Sequence, residues 1–402
     1  MSRFIAIPVA QGDAFYLERQ GFSVLVDGGR SRSALPSMFQ LATKSDGVNV
    51  VLCTHNDADH ANGILGFLEA GLGCEEVWLP GRWLDALPDV LGPFFEVVRR
   101  LTENVAETDV SSNLNGLQQG LSPIEVYAEK VYGRLTDSFK TEEGPPIAEN
   151  GWPESYSQML EGAEPWEVPP RWLGPWNLDE WLSWLHDRYR PIGPEAAQLL
   201  WSAIDAAGRI RAIAIAAFHR GIPVRWFEFD TTAPSGGIPA LKPLNGREVA
   251  RVRLPVGTLL ERLALTVSNR ESLVFWSPAT EHHPGVLFTA DSDLAGVCLP
   301  FQIDGAIATA PHHGSEANAK AYTVVAAASN GSPSITWVRS DGRYESRPGN
   351  TYLRLASRRF CTICRRARGS STRKQTVRLY MRAGVWTRHR ASRVCSCEFT
   401  RE

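Results

Sequence analysis

Six consecutive residues, HNDADH at positions 55–60, restrict what this chain can become more than any other stretch of it. They follow VNVVLC (48–53), a continuous β-branched run of the kind that forms a strand buried on both faces. Behind them, Ile64, Leu65, Phe67 and Leu68 recur at helical spacing. The loop of such a strand–loop–helix unit lies at the carboxyl end of its strand, where open α/β sheets bind ligands. There His55, Asp57, Asp59 and His60 offer two imidazoles and two carboxylates to a cation. That mixture suits Zn²⁺, and the carboxylates shift the preference towards harder ions such as Mn²⁺. One His and one Asp meet in a loop by chance; four donors in six residues point to a metal centre.

The rest of the pattern supplies a scaffold and further donors. Residues 3–30 read as a strand and a β-hairpin ending in Asp27-Gly28-Gly29, followed by a polar helix over 34–46 and a strand at VWLP (77–80). A long helix precedes the strand IPVRWFEF (222–229), after which RVRLPVG, SLVFWSP, GVLFTAD, AIATAP and SITWVRS read as strands. A helix-like DLAGVCLPF and a helix over 317–328 lie among them. GVLFTAD delivers Asp291 at its end, and AIATAP delivers His312 and His313. Asp13 and Asp27 flank strands near the same sheet edge and are expected to orient ligand rings or the loop. Alternating strands and helices predict an α/β domain over 1–338. A Trp-, Pro- and acid-rich stretch at about 81–194 reads as an inserted helical cap whose Trp residues form its core.

In order along the chain, QGDAFYL (11–17), VLVDGG (24–29), THNDADHANG (54–63), SNRESLVFW (268–276), VLFTAD (286–291) and PHHGS (311–315) resemble motifs of the metallo-β-lactamase superfamily. Within it they are similar to the ComEC-like branch, related to the soluble domain of the bacterial competence DNA-uptake protein. HNDADH looks like the HxHxDH signature with Asp57 in place of the second His. The resemblance covers roughly residues 3–83 and 245–340. It implies a metallo-β-lactamase αββα four-layer sandwich and a centre of one or two ions, Zn²⁺ or Mn²⁺. His55 and Asp57 would bind the first ion, Asp59, His60 and His312 the second, and Asp291 would bridge both. No His stands where the superfamily has its third ligand to the first metal, so that position is expected to be weak, water-filled or empty.

The implied reaction is metal-dependent hydrolysis by a metal-activated hydroxide that Asp59 orients. His313 either protonates the leaving oxygen or hydrogen-bonds to a ligand, and Ser315 stands beside it. A phosphodiester, in nucleic acid, is the favoured substrate. The alternatives are a small phosphodiester or ester held under the cap, and a non-catalytic metal-binding sensor or partner protein.

Charge divides the chain. Residues 339–402 hold 17 Lys/Arg against 4 Asp/Glu, whereas the 338 before them hold 25 against 40. So basic a segment suggests an anionic partner, or docking on the chain's own acidic body. It reads as a separate small module. Cys361, Cys364, Cys395 and Cys397 flank two strand-like runs, TVRLYMR and GVWTRHR, and four thiolates at the open end of a hairpin suit a structural Zn²⁺. Unligated buried thiols and a redox disulfide are the other readings. Arg365, Arg366, Arg378 and Arg388, with Tyr380 and Trp386 nearby, fit contacts to nucleic acid, and a solvated basic face is the plainer alternative.

Seven cysteines, four of them crowded near the carboxyl end, do not resemble a secreted disulfide framework. No run approaches the roughly 18 apolar residues of a membrane span, and the first residues carry no secretory pattern. The expected location is therefore the cytoplasm, away from membranes, with a protein partner left open.

Overall fold

The computed structural model describes residues 2–108, 122–135, 143–166, 193–300, 303–329, 334–340, 347–364 and 373–397. The chain divides into two compact units, one of Met1–Gly81, Ile222–Val249 and Asn269–Glu402, the other of Arg82–Gly221 and Ala250–Ser268.

Two sheets form the first unit. The larger has nine strands, in the order Val385–Arg388, Val377–Arg382, Arg3–Ala6, Phe15–Arg19, Phe22–Val26, Gly47–Leu52, Gly73–Pro80, Val224–Phe229 and Gly246–Glu248. Neighbours from Phe22–Val26 through Val224–Phe229 run parallel. Parallel neighbours need crossovers, and the helices Leu35–Thr43 and Ala58–Glu69 provide the first two. The smaller sheet has six strands, in the order Arg358–Cys361, Thr336–Arg339, Ile307–Thr309, Val286–Phe288, Phe275–Ser277 and Lys242–Pro243.

One continuous core joins Phe4, Phe15, Leu17, Val24, Leu52 and Trp78 of the first sheet to Phe275, Phe288, Ile307, Val338 and Phe360 of the second. Phe4 meets Phe288 at 6.2 Å between ring centroids, and Trp78 meets Phe275 at 5.7 Å. Each such side chain contributes about 1.5–3 kcal/mol by leaving water. On the other face of the first sheet, Phe39 stands edge-on to both Tyr16 and Phe67. On the other face of the second, Leu287 and Trp337 pack with Tyr322, Val325 and Tyr352. Helix, sheet, sheet, helix is thus the layer order of this unit, a mixed α/β arrangement consistent with the expected architecture.

Two glycines let the site helix lie directly on neighbouring backbone. A Cβ on Gly63 would fall 1.9 Å from the Gly28 carbonyl oxygen, and one on Gly12 would fall 1.7 Å from that of Asp59. Gly63→Ala is therefore expected to destabilise the fold by about 1–3 kcal/mol through overpacking, read as a lower urea midpoint. An unchanged midpoint would contradict the close approach.

Three features differ from expectation. The described residues of 339–402 do not stand apart as a module: Val377–Arg382 pairs with Arg3–Ala6, and Arg358–Cys361 pairs with Thr336–Arg339. Val377, Leu379, Met381 and Trp386 enter the shared core, which the period-two alternation of that hairpin allows. The second unit also outruns the insert expected at about 81–194. Its helices include Pro194–His219 and Leu259–Thr266, and Arg251–Arg253, within the strand expected over 251–257, pairs with Glu143–Pro146 inside it. Buried arginines brace that unit: Arg262 reaches the Asp85 carbonyl and the Asp89 carboxylate, each at 2.6 Å, and Arg211 reaches the Val90 carbonyl at 2.9 Å. The Trp-rich residues 167–192 lie outside the described residues. Thirdly, residues 293–300 form no helix; Leu294 has φ 60° and Gly296 φ 73°, left-handed values that interrupt one. Among the described residues no helix is long and apolar enough to cross a membrane.

Candidate metal centre

Strand ends of both sheets carry the site. Asp27 follows Phe22–Val26, and His55 follows Gly47–Leu52, its neighbour in the sheet. Asp291 follows Val286–Phe288, and His312 and His313 follow Ile307–Thr309. Asp59 and His60 occupy the first turn of Ala58–Glu69, where the helix's positive end favours a carboxylate. Asp13 precedes Phe15–Arg19, and its backbone N–H donates to the Asp59 carbonyl at 3.1 Å.

Several of these residues are held in unusual backbone conformations. Asp27 (φ 57°), Ala290 (φ 47°), His312 (φ 46°) and His313 (φ 53°) are all left-handed. Such residues cost on the order of 1–3 kcal/mol each and persist only where the surroundings over-determine them. Ala290, His312 and His313 set the direction of Asp291 and of the two imidazoles beside it, and Asp27 holds His60 from behind. The inward-facing side chains meet at one point.

That point is the Asp291 carboxylate. His60 Nε2 lies 3.2 Å and His313 Nε2 3.9 Å from its Oδ1, while His55 Nε2 lies 3.8 Å and His312 Nε2 3.7 Å from its Oδ2. His313 Nε2 is also 3.3 Å from Asp59 Oδ2. The far nitrogens are anchored. His60 Nδ1 bonds to Asp27 at 2.8 Å, His313 Nδ1 to Asp13 at 3.0 Å, and His312 Nδ1 to the Asn318 carboxamide oxygen at 3.0 Å. His55 Nδ1 bonds to the Thr54 hydroxyl at 3.0 Å, which itself donates to Asp27 at 2.8 Å. With each Nδ1 held by the protein, each Nε2 faces inwards, the arrangement that orients imidazoles for a metal.

Five of the inward atoms make no hydrogen bond. Nε2 of His55, His60 and His313 and Oδ1 of Asp59 and Asp291 are buried without a hydrogen bond. One unpaired buried polar group costs about 1–3 kcal/mol; five converging in one place fit a cation. Donor atoms of Asp13, His60, Asp291 and His313 all lie within 4.8 Å of one another.

The electrostatics agree. Burial alone would raise Asp291, yet His60, His312 and His313 hold it well below the usual carboxylate range. Asp59 is likewise depressed against burial, chiefly by His313. Burial opposes charge on His60 and His313, but the carboxylates around them push both well above the ordinary imidazole value. His55, desolvated and beside His60, is lowered to about 3, and His312, desolvated, to about 4.

Of the residues singled out in the sequence, His55, Asp59, His60, Asp291, His312 and His313 meet here, with Asp13 and Asp27 behind them. Asp57 is the N-cap of the site helix, where its carboxylate accepts from the Ala58 N–H at 2.6 Å, a use that suits Asp at that position. His313, expected either to protonate the leaving oxygen or to hydrogen-bond to a ligand, turns its Nε2 into the cluster, 3.3 Å from Asp59 Oδ2 and 3.9 Å from Asp291 Oδ1. Ser315 caps the short turn Glu316–Asn318, and so supports Asn318 rather than touching the cluster. Four contributors escaped the sequence reading: Thr54, Asn318, Arg339 and Arg347. Arg339, fully buried, donates to the His313 carbonyl at 2.9 Å, and Arg347 Nη2 stands 2.6 Å from His312 Nε2. An arginine inside the apolar strand TWVR was the available signal for the first; nothing local marks the others.

Because Asp27 fixes two imidazoles, one directly and one through Thr54, Asp27→Ala is expected to weaken metal binding 10–100-fold. Competition against a chromogenic chelator reads this; unchanged affinity would remove Asp27 from the centre.

The metallo-β-lactamase superfamily model matches residues 7–72 of this chain, a span containing Asp13, Asp27, His55, Asp59 and His60. Human microtubule-associated protein 1S is 30% identical over 143 residues, covering 33% of this chain and 13% of that protein.

Proposed function

We propose that this chain is a metal-dependent hydrolase acting on phosphodiesters, with nucleic acid the favoured substrate. The superfamily match over residues 7–72 points to metal-dependent hydrolysis as the reaction class. The observation that carries it is the convergence of unpaired buried donors from His55, His60, His313, Asp59 and Asp291. These residues would hold one or two ions, Zn²⁺ or Mn²⁺, with Asp13, Asp27 and Thr54 fixing the rings. When bound, such ions lower the pKa of water towards 7 and stabilise charge on a phosphoryl oxygen.

The remaining work falls to the chain's own groups. Asp59, depressed and buried, stays anionic at neutral pH and can accept a hydrogen bond from the attacking oxygen. His312 stays neutral there, its Nδ1–H engaged by Asn318. Arg347 brings a permanent cation to the edge of the cluster. Guanidinium binds phosphate oxygens through paired N–H groups, which favours an anionic ester over a neutral one. Nucleic acid as the substrate is supported by the ComEC-like motifs and by the basic residues of 339–402. It does not draw on Arg378 and Arg388, which donate to the Ala42 and Ser392 carbonyls, and Arg365 and Arg366 lie outside the described residues.

The test is a panel of single- and double-stranded DNA and RNA, a small chromogenic phosphodiester and a carboxylic ester, each with Zn²⁺ or Mn²⁺. Cleavage of phosphodiesters is expected, with Arg347→Ala raising KM about tenfold, roughly 1.4 kcal/mol. Hydrolysis of the carboxylic ester alone would overturn the substrate class. A second reading, a metal-holding protein that binds a partner without turnover, is favoured by the similarity to a protein named for associating with microtubules. Stoichiometric metal with no turnover across the panel would establish it.

A further inference from the structure

The four cysteines near the carboxyl end form a second cluster, made of different residues and different chemistry. Cys361 ends the strand Arg358–Cys361, Cys364 closes the short strand Ile363–Cys364, and Cys395 and Cys397 return from the chain beyond Val385–Arg388. All four sulfurs lie within 4.8 Å of one another. Cys361 Sγ is 3.1 Å from Cys395 Sγ and 4.0 Å from Cys397 Sγ. A tetrahedral ion with Zn–S bonds of about 2.3 Å sets its sulfurs about 3.8 Å apart, whereas a disulfide needs about 2.05 Å.

The surroundings suit thiolates. Cys364 Sγ receives Arg373 Nη2 at 3.3 Å and the Ser396 backbone N–H at 3.5 Å, and Cys395 Sγ receives the Cys397 N–H at 3.4 Å. Such donors stabilise negative charge on sulfur. The chain around the cluster is also fixed: the Cys395 N–H donates to the Arg359 carbonyl at 2.8 Å, and Gln375 Nε2 bridges the Cys361 and Arg393 carbonyls at 2.8 and 2.9 Å.

We propose that Cys361, Cys364, Cys395 and Cys397 hold one structural zinc ion that staples the C-terminal stretch to the edge of the second sheet. Four protein sulfurs leave no open coordination position, which is the mark of a structural rather than a catalytic zinc. The stapled strand is an edge strand of the smaller sheet. It pairs with Thr336–Arg339, whose Arg339 bonds both to the Ile363 carbonyl, between the first two cysteines, and to the His313 carbonyl. The staple therefore tightens the support behind the loop that presents His313.

Two measurements on the full chain, prepared under reducing conditions, test this. Elemental analysis of the wild type and of a Cys395→Ser Cys397→Ser variant is expected to differ by one zinc per chain; equal zinc in the two folded proteins would overturn the proposal. Cobalt substitution of the wild type needs no variant. It is expected to give the intense sulfur-to-metal charge-transfer band of a tetrahedral thiolate site, and to give it equally in Asp59→Ala His60→Ala, because the His/Asp centre contains no sulfur. A wild-type protein without that band, or one carrying a Cys361–Cys395 disulfide in its place, would overturn it.

Discussion

The Asp59→Ala His60→Ala double variant is expected to lose metal-dependent hydrolysis by at least about a thousandfold in kcat/KM, roughly 4 kcal/mol of transition-state stabilisation. Two of the five unpaired donors disappear together, and with them two of the closest partners of Asp291 and His313. The variant should still fold. Its positions are the first turn of a helix whose N-cap is Asp57 and whose buried face, including Ile64, Phe67 and Leu68, is untouched. Loss of turnover and of bound metal with an unchanged circular dichroism spectrum is the predicted combination. Wild-type turnover in the variant would place the chemistry elsewhere.

Stripped of metal, the protein is expected to be most stable near pH 6.5. His55 and His312 are held at about 3 and about 4, below an ordinary value of 6.5. As the pH falls from 6.5 towards those values, the unfolded chain takes up protons that the folded chain refuses. Stability then drops by up to about 1.4 kcal/mol per pH unit for each group. His60 and His313 act in the opposite direction, because surrounding carboxylates raise both against the effect of burial. Their stabilisation is complete below 6.5 and is lost as the pH rises through their folded values. Asp59 and Asp291, depressed by their histidine neighbours despite burial, add stability above 3.8 that is lost as the pH falls below it. A metal needs its ligands deprotonated, so it replaces the lost imidazolium–carboxylate pairs on the alkaline side. Melting curves across neutrality should peak near pH 6.5 with chelator and hold their alkaline limb with metal. Superimposable profiles would contradict a metal at this centre.

The parts of this molecule that were legible beforehand are those set by short-range pattern. The buried run at 48–53, the donor loop after it and the helix behind Ile64 lie within one strand–loop–helix unit, and each appears where the pattern put it. Asp291, His312 and His313 were legible as strand-end residues because strands of period two end abruptly at turns.

What escaped depends on contacts between distant residues. Asp57 and Asp59 look equivalent in HNDADH, and only the helix start separates them, making one a cap and turning the other inwards. Likewise His312 and His313 are adjacent, and their assignment depends on two successive left-handed residues together with Asp13, 300 positions away. The C-terminal hairpin read as a separate module because composition there is basic. Its alternate apolar side chains nevertheless pair with the first strand of the chain, a register that no local signal reveals. By composition Arg339 belongs to the basic segment, whereas in the fold it is a fully buried strut beneath the His313 loop.

Turnover of a chromogenic phosphodiester by chelator-stripped wild-type protein, titrated with Zn²⁺ and in parallel with Mn²⁺, is the most direct single measurement. Hydrolysis should be absent at the start, rise as metal fills the His/Asp centre, and reach a plateau that the Asp59→Ala His60→Ala variant never approaches. A wild-type chain that binds metal there to saturation and still hydrolyses no phosphodiester would contradict the account.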